Sequence, residues 1–100
     1  SASTTTTTTS ETTIDSFTKT VYRSAKYQVQ VTRGSAYQVT EISIIHDGTN
    51  SYGTEYATIK TGESLSAFTT DIDSNDVRLR ATPTSSSSTT FKMVRTAIEV

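Results

Sequence analysis

Tyr22-Arg23-Ser24-Ala25-Lys26-Tyr27-Gln28-Val29-Gln30-Val31-Thr32 reads as a half-buried β-strand. Tyr27, Val29 and Val31 alternate with Lys26, Gln28, Gln30 and Thr32. Successive side chains of a strand point to opposite faces, so a period of two puts the apolar set on one side and the polar set on the other. Arg33-Gly34 follows as a tight turn, with glycine free to take positive φ. Ala36 to His46 predicts the next strand. Its apolar phase slips, with Tyr37 and Val39 on one face and Ile42 and Ile44 on the other. A bulge near Thr40-Glu41 would bring all four to the core.

The pattern continues outward from this pair. Asp47-Gly48-Thr49-Asn50 is a turn signal. Strands are predicted at Tyr52 to Thr61, Leu65 to Ile72, Val77 to Thr82 and Phe91 to Val100, with a short one possible at Ile14 to Lys19. Asp73 to Asp76 turns the chain. Pro83 lacks a donor and ends pairing, and Ser85 to Ser88 forms a loop. No helical period of 3.6 occurs. The expected fold is all-β: an antiparallel sandwich, or a jelly-roll-like barrel, of six to eight strands.

Ahead of these strands, Ser1 to Thr13 has no apolar residue except Ala2 and carries six consecutive threonines, Thr4, Thr5, Thr6, Thr7, Thr8 and Thr9. Such a stretch buries too little apolar area to fold alone. It reads as a linker or as an extended arm, with residues 14–100 forming the sandwich domain. Threonine has high β-propensity and the tract has no charge and no proline, so strand addition to a sheet edge suits it. These residues therefore mark a candidate assembly arm.

Composition narrows the function classes. The 32% hydrophobic fraction is low for a globular chain, and 23 Thr and 15 Ser describe an uncharged, hydroxyl-covered surface. Net charge is −1 with no basic stripe, which removes the electrostatic footprint of a nucleic-acid binder. No run of about 18 apolar residues is present to span a membrane as a helix. The start lacks Met and a signal-peptide pattern, as expected of a processed product, an internal fragment or part of a longer chain. There is no cysteine, so no disulfide supports the core. A chain of this size gains from burying area against neighbours, and self-association is expected on that ground.

Candidate chemistry is thin. Asp71, Asp73, Asn75 and Asp76 begin like a calcium loop, but Asp76 stands where glycine would turn the chain and Thr82 where a closing glutamate is needed. A β-turn capped by Asp and Asn is the simpler reading. His46 precedes Asp47, yet no nucleophile elbow accompanies them. Asp15, Glu41, Glu55 and Glu63 could supply a carboxylate pair only if a cleft brought two together. No catalytic residue, metal site or cofactor is assigned, and the chain is expected not to be an enzyme. Five tyrosines remain as binding candidates. Tyr27 and Tyr37 fall on core phases. Tyr52 and Tyr56 share a face opposite Ala57 and Ile59 and are the candidate contact surface, for another protein or for a sugar.

The segments Tyr22-Arg23-Ser24-Ala25-Lys26-Tyr27, Glu41-Ile42-Ser43-Ile44-Ile45-His46-Asp47-Gly48, Glu55-Tyr56 and Val94-Arg95-Thr96 resemble a β domain of virion structural and tail-fibre-type proteins of tailed bacteriophages, especially marine T4-like phages. The resemblance covers about Phe17 to Ala97. It brings no catalytic residues with it. It implies a structural subunit of a virion, repeated around a symmetry axis, whose partners are copies of itself or other virion proteins. A receptor- or glycan-binding module of a tail fibre is the alternative. The threonine tract lies outside the resemblance.

Overall fold

A computed structural model describes residues 2–100. It contains eight antiparallel strands: β1 (Ala2–Thr6), β2 (Thr12–Thr18), β3 (Tyr22–Arg33), β4 (Ala36–His46), β5 (Ser51–Lys60), β6 (Ser66–Asp73), β7 (Asp76–Pro83) and β8 (Thr89–Glu99). They form a five-stranded sheet ordered β1-β8-β3-β4-β5 and a three-stranded sheet ordered β2-β7-β6. The two sheets face each other as a sandwich, and neither closes into a barrel, so the jelly-roll-like alternative falls away.

Alternation sets the inner faces. Tyr27, Val29 and Val31 of β3 are fully buried, as are Phe91 of β8 and Val77 and Ala81 of β7. Ala25 of β3, Ile42 and Ile44 of β4, Met93, Leu65, Leu79, and Ile14 and Phe17 of β2 complete the core. Phe68 of β6 meets Phe91 edge-on across the sheets, with ring centroids 6.2 Å apart. At the floor of the sandwich, Tyr27 donates its hydroxyl proton to Asp15 Oδ2 at 2.8 Å. Arg95 reaches the same carboxylate at 3.0 Å and the Ser16 carbonyl at 2.8 Å. These bonds tie β2 to the larger sheet. At the other end Arg33 donates to Thr89 Oγ1, Thr84 Oγ1 and the Leu65 carbonyl, holding two loops against β3.

Two expectations are corrected here. β4 has no bulge: its burial alternates without a break, with Gln38 and Thr40 inward. The extra residue sits in β5, where Ala57 and Thr58 together face Thr40, and Ala57 takes a φ of 53°. Tyr37 is therefore not core but 49% exposed. Gln38 tolerates burial because its side-chain carbonyl accepts the Leu65 N–H at 2.8 Å. Likewise Thr40 donates to Glu55 Oε2 at 2.8 Å. In β8 a second apolar phase, Val94 and Ile98, is exposed.

The threonine-rich segment divides. Ala2–Thr6 is the edge strand of the larger sheet, paired with β8 of the same chain from Ala2↔Met93 to Thr6↔Thr89. Thr12 and Thr13 already belong to β2. Residues 2–6 thus belong to the sandwich together with the expected 14–100, and Ser1 lies outside the described residues. Threonine's strand propensity accounts for β1; its partner lies more than eighty residues away along the chain and is set by β8's open edge.

The acidic Asp71–Asp76 segment is the β6–β7 hairpin. Ser74 takes positive φ at its turn, and Asp71 receives Arg78 through two bonds of 2.7 Å. Arg78 holds the Asp71 carboxyl below the usual carboxylate range. Because the folded value is depressed, its stabilisation is present above the ordinary carboxylate range and is lost as pH falls through the lowered value. The pair is partly exposed, so Asp71→Asn should cost about 1 kcal/mol at most at pH 7. In urea titrations that difference should vanish at strongly acidic pH. A difference that persists unchanged there would assign the effect to packing.

Candidate functional surface

The outward side chains of the five-stranded sheet line up in rows that the register defines. Ile98, Ser24, Ile45 and Tyr52 form the row nearest one end. Thr96, Lys26, Ser43 and Thr54 follow, then Val94, Gln28, Glu41 and Tyr56, then Lys92, Gln30, Val39 and Ile59. Apolar groups thus recur on a face that carries only a few charges. Ile98 is 70% exposed, Tyr52 56% and Ile45 51%. Large apolar side chains grouped on one solvent face mark contact surfaces more often than single exposed ones do.

Both tyrosines singled out from the sequence lie here. They sit four residues apart on β5, about 13 Å along a strand. Tyr52 flanks an open hollow of about 510 Å³ with Ile45, Ile98, Ser24, Lys26 and Ser43. Its hydroxyl points to Asp47 Oδ2 at 3.5 Å. Tyr56 is held more firmly: its hydroxyl shares a hydrogen bond with Ser43 Oγ at 3.0 Å, beside the Lys26–Glu41 ion pair at 3.1 Å. Hydrogen bonding from Glu41 raises the Lys26 pKa, so the ammonium stays charged. Ile59 is not on the opposite face, as simple alternation suggests. The Ala57–Thr58 bulge returns it to the face of Tyr52 and Tyr56, 69% exposed.

β5 owes its exposure to where it sits. It is an edge strand, and no residue of its ten is buried. β6 approaches it closely at Gly53, where an added Cβ would lie 3.2 Å from Thr70 Cγ2. The turn before β5 is rigid. Asp47 Oδ1 accepts the N–H groups of Thr49 at 2.9 Å and Asn50 at 2.7 Å, which lowers the Asp47 pKa.

The remaining polar candidates do not converge. His46 is 3% exposed, with Nδ1 accepting the Gly48 N–H at 2.9 Å and Nε2 lying 2.7 Å from the Tyr22 carbonyl. That arrangement defines the neutral tautomer with the proton on Nε2. Asp15 faces Tyr27 and Arg95 at the rim of the sandwich, Glu41 pairs with Lys26 on its outer face, and Glu55 accepts Thr40. Among the described residues no group of three His, Cys, Asp or Glu is placed to hold a metal ion. Ile45 and Ile98 were missed as surface residues. Alternation alone showed two apolar phases, and only the cross-strand register shows that the second gathers beside Tyr52.

No family profile and no curated protein matches this chain. In fold it is similar to the crystal structure of the Acinetobacter phage vB_ApiP_P1 tailspike protein, with a TM-score of 0.62 and 15% identity. That likeness covers 98% of this chain and 22% of the tailspike chain. It concerns the β-sandwich fold. Marine T4-like phages find no support in it.

Proposed function

We propose that this chain is a non-catalytic structural module of a phage virion, self-associating or docking to other virion proteins through the outer face of its five-stranded sheet. The observation that carries the reading is the exposed row of Ile98, Ile45 and Tyr52 on a sandwich whose core is otherwise complete. The fold shared with a phage tailspike chain supports the virion setting. A non-catalytic role is favoured by the engagement of the polar candidates: both nitrogens of His46 serve backbone groups, and Asp15 is taken up by Tyr27 and Arg95. Apolar burial rather than charge would supply the binding energy. Replacing Ile45 and Ile98 together with lysine should weaken self-association at least tenfold and leave the unfolding midpoint nearly unchanged, since both side chains are solvated in the monomer. Sedimentation across a concentration series reads this out. A chain that stays monomeric at millimolar concentration and binds no virion protein would refute the proposal.

A second reading is favoured by the composition of the hollow beside Tyr52. An exposed aromatic ring rimmed by Ser24, Ser43, Thr54, Thr96 and Lys26 combines a stacking surface with hydroxyl and ammonium partners. That chemistry suits a host-surface glycan. On this reading glycan-array signal is lost on Tyr52→Ala and reduced on Tyr56→Ala. Equal signal from the unaltered and the substituted chains would end it.

A further inference from the structure

We infer that β1 exchanges between copies, each chain's threonine arm completing the β8 edge of a neighbour. The inference rests on the self-association proposed above and names the segment that links the copies. Six consecutive threonines share one strand propensity, yet only Thr4, Thr5 and Thr6 are in the strand. Thr7, Thr8 and Thr9 leave β8 because the chain must cross to β2 in the other sheet within five residues. Local preference and topology conflict at Thr7. An arm laid on a neighbour's β8 makes that crossing between chains, not from sheet to sheet of one sandwich. Continuing the observed register would set Thr7, Thr8 and Thr9 against Ser88, Ser87 and Ser86, which are exposed in the β7–β8 loop.

β1 is also loosely held in its own chain. It pairs only with β8. Its further tie is a 3.5 Å bond from Thr4 Oγ1 to the Ile14 carbonyl. Thr6 is buried, but its hydroxyl oxygen has no hydrogen-bond partner, a cost that lowers what β1 contributes wherever it pairs with β8. The connection Thr7 to Glu11 has no apolar side chain; its ties are polar, from Glu11 to Arg80 and Thr69 and from the Ser10 N–H to the Thr8 hydroxyl. Exchange would keep the whole β1–β8 ladder and add to it. That is the condition under which swapping a terminal element is inexpensive.

Thr5 and Thr90 provide the test. They are direct partners on the outer face, with hydroxyl oxygens 3.0 Å apart, a separation of strands that a disulfide can bridge. The chain has no cysteine of its own. A Thr5→Cys chain and a Thr90→Cys chain are mixed at high concentration and oxidised. Exchange yields a reducible species at twice the 10.8-kDa chain mass, absent when either variant is oxidised alone. The Thr5→Cys/Thr90→Cys double variant should likewise form interchain ladders. If that variant closes only within single chains and the mixture gives no heterodimer, exchange is overturned. Should the unmodified chain still sediment as an oligomer in that case, association through the sheet face survives. A strictly monomeric chain would remove both.

Discussion

Tyr27→Ala should destabilise the fold by about 3–5 kcal/mol, the range for removing a large buried ring from a packed core. Tyr27 has no solvent exposure, and Val29 and Val31 follow it inward along β3. Its loss opens a cavity at the centre of the larger sheet and takes one of the two groups holding Asp15. Small domains have only about 5–15 kcal/mol in total, so a large share of stability disappears. Tyr27→Phe separates packing from hydrogen bonding. The ring stays, Arg95 keeps its bond to Asp15, and the expected cost is about 1–2 kcal/mol. The two variants are compared by urea denaturation at pH 7.

The same phenol gives a pH signature. Burial, then the hydrogen bond to Asp15, pushes the Tyr27 pKa well above the ordinary tyrosine value. A raised folded value means the stabilisation is full below the ordinary phenol range, near pH 10, and is lost as pH rises toward the raised value. The unaltered protein should therefore lose stability steeply above about pH 10, and the phenolate absorbance it shows in excess of Tyr27→Phe should appear as strand structure is lost. Tyr27→Phe should be flatter there, and the gap between the two should narrow. Parallel alkaline curves would show that the hydroxyl contributes nothing through its proton.

How much of this was legible depends on which contacts are local. β3 and β7 could be read directly, because alternation is strict and each has one buried face. The ends of β4 fell where the flanking turns put them. Its interior did not: Tyr37 and Val39 are more apolar than Gln38 and Thr40, so periodicity favoured the wrong phase. What buries Gln38 and Thr40 is a backbone N–H from Leu65 and a carboxylate from Glu55, both distant in sequence. The bulge that accommodates them falls on Ala57, a residue with no preference for positive φ. For the surface, the shared face of Tyr52 and Tyr56 was readable from their spacing. Their grouping with Ile45, Ile98 and Ile59 was not, since it follows from the register of β3, β4, β5 and β8. The threonine tract was compatible with an extended strand or a linker, and nothing local names the edge that Thr4, Thr5 and Thr6 join.

His46→Ala should cost about 3–4 kcal/mol, an unusual penalty for a polar residue at a strand end. Two effects add. Removing the ring leaves the Gly48 N–H without its acceptor and takes a hydrogen bond from the Tyr22 carbonyl, each at the low end of about 1–3 kcal/mol because both groups are only partly buried. It also vacates space beside Phe17, whose ring centroid lies 6.3 Å away. The His46 carbonyl still accepts Arg23, and Asp47 still caps Thr49 and Asn50, so the turn itself should persist. The damage should therefore show as a lower denaturation midpoint with an unchanged slope. The expected consequence for the surface follows from position. His46 pairs with Ser51, one residue before Tyr52, and its bond to Gly48 stiffens the turn that leads into β5. Hydrogen exchange should accelerate at Gly48 and Ser51 in the variant while β3 amides stay protected. A His46→Ala protein as stable as the parent would mean that other groups or solvent satisfy both backbone partners, and that the imidazole is kept for something other than the fold.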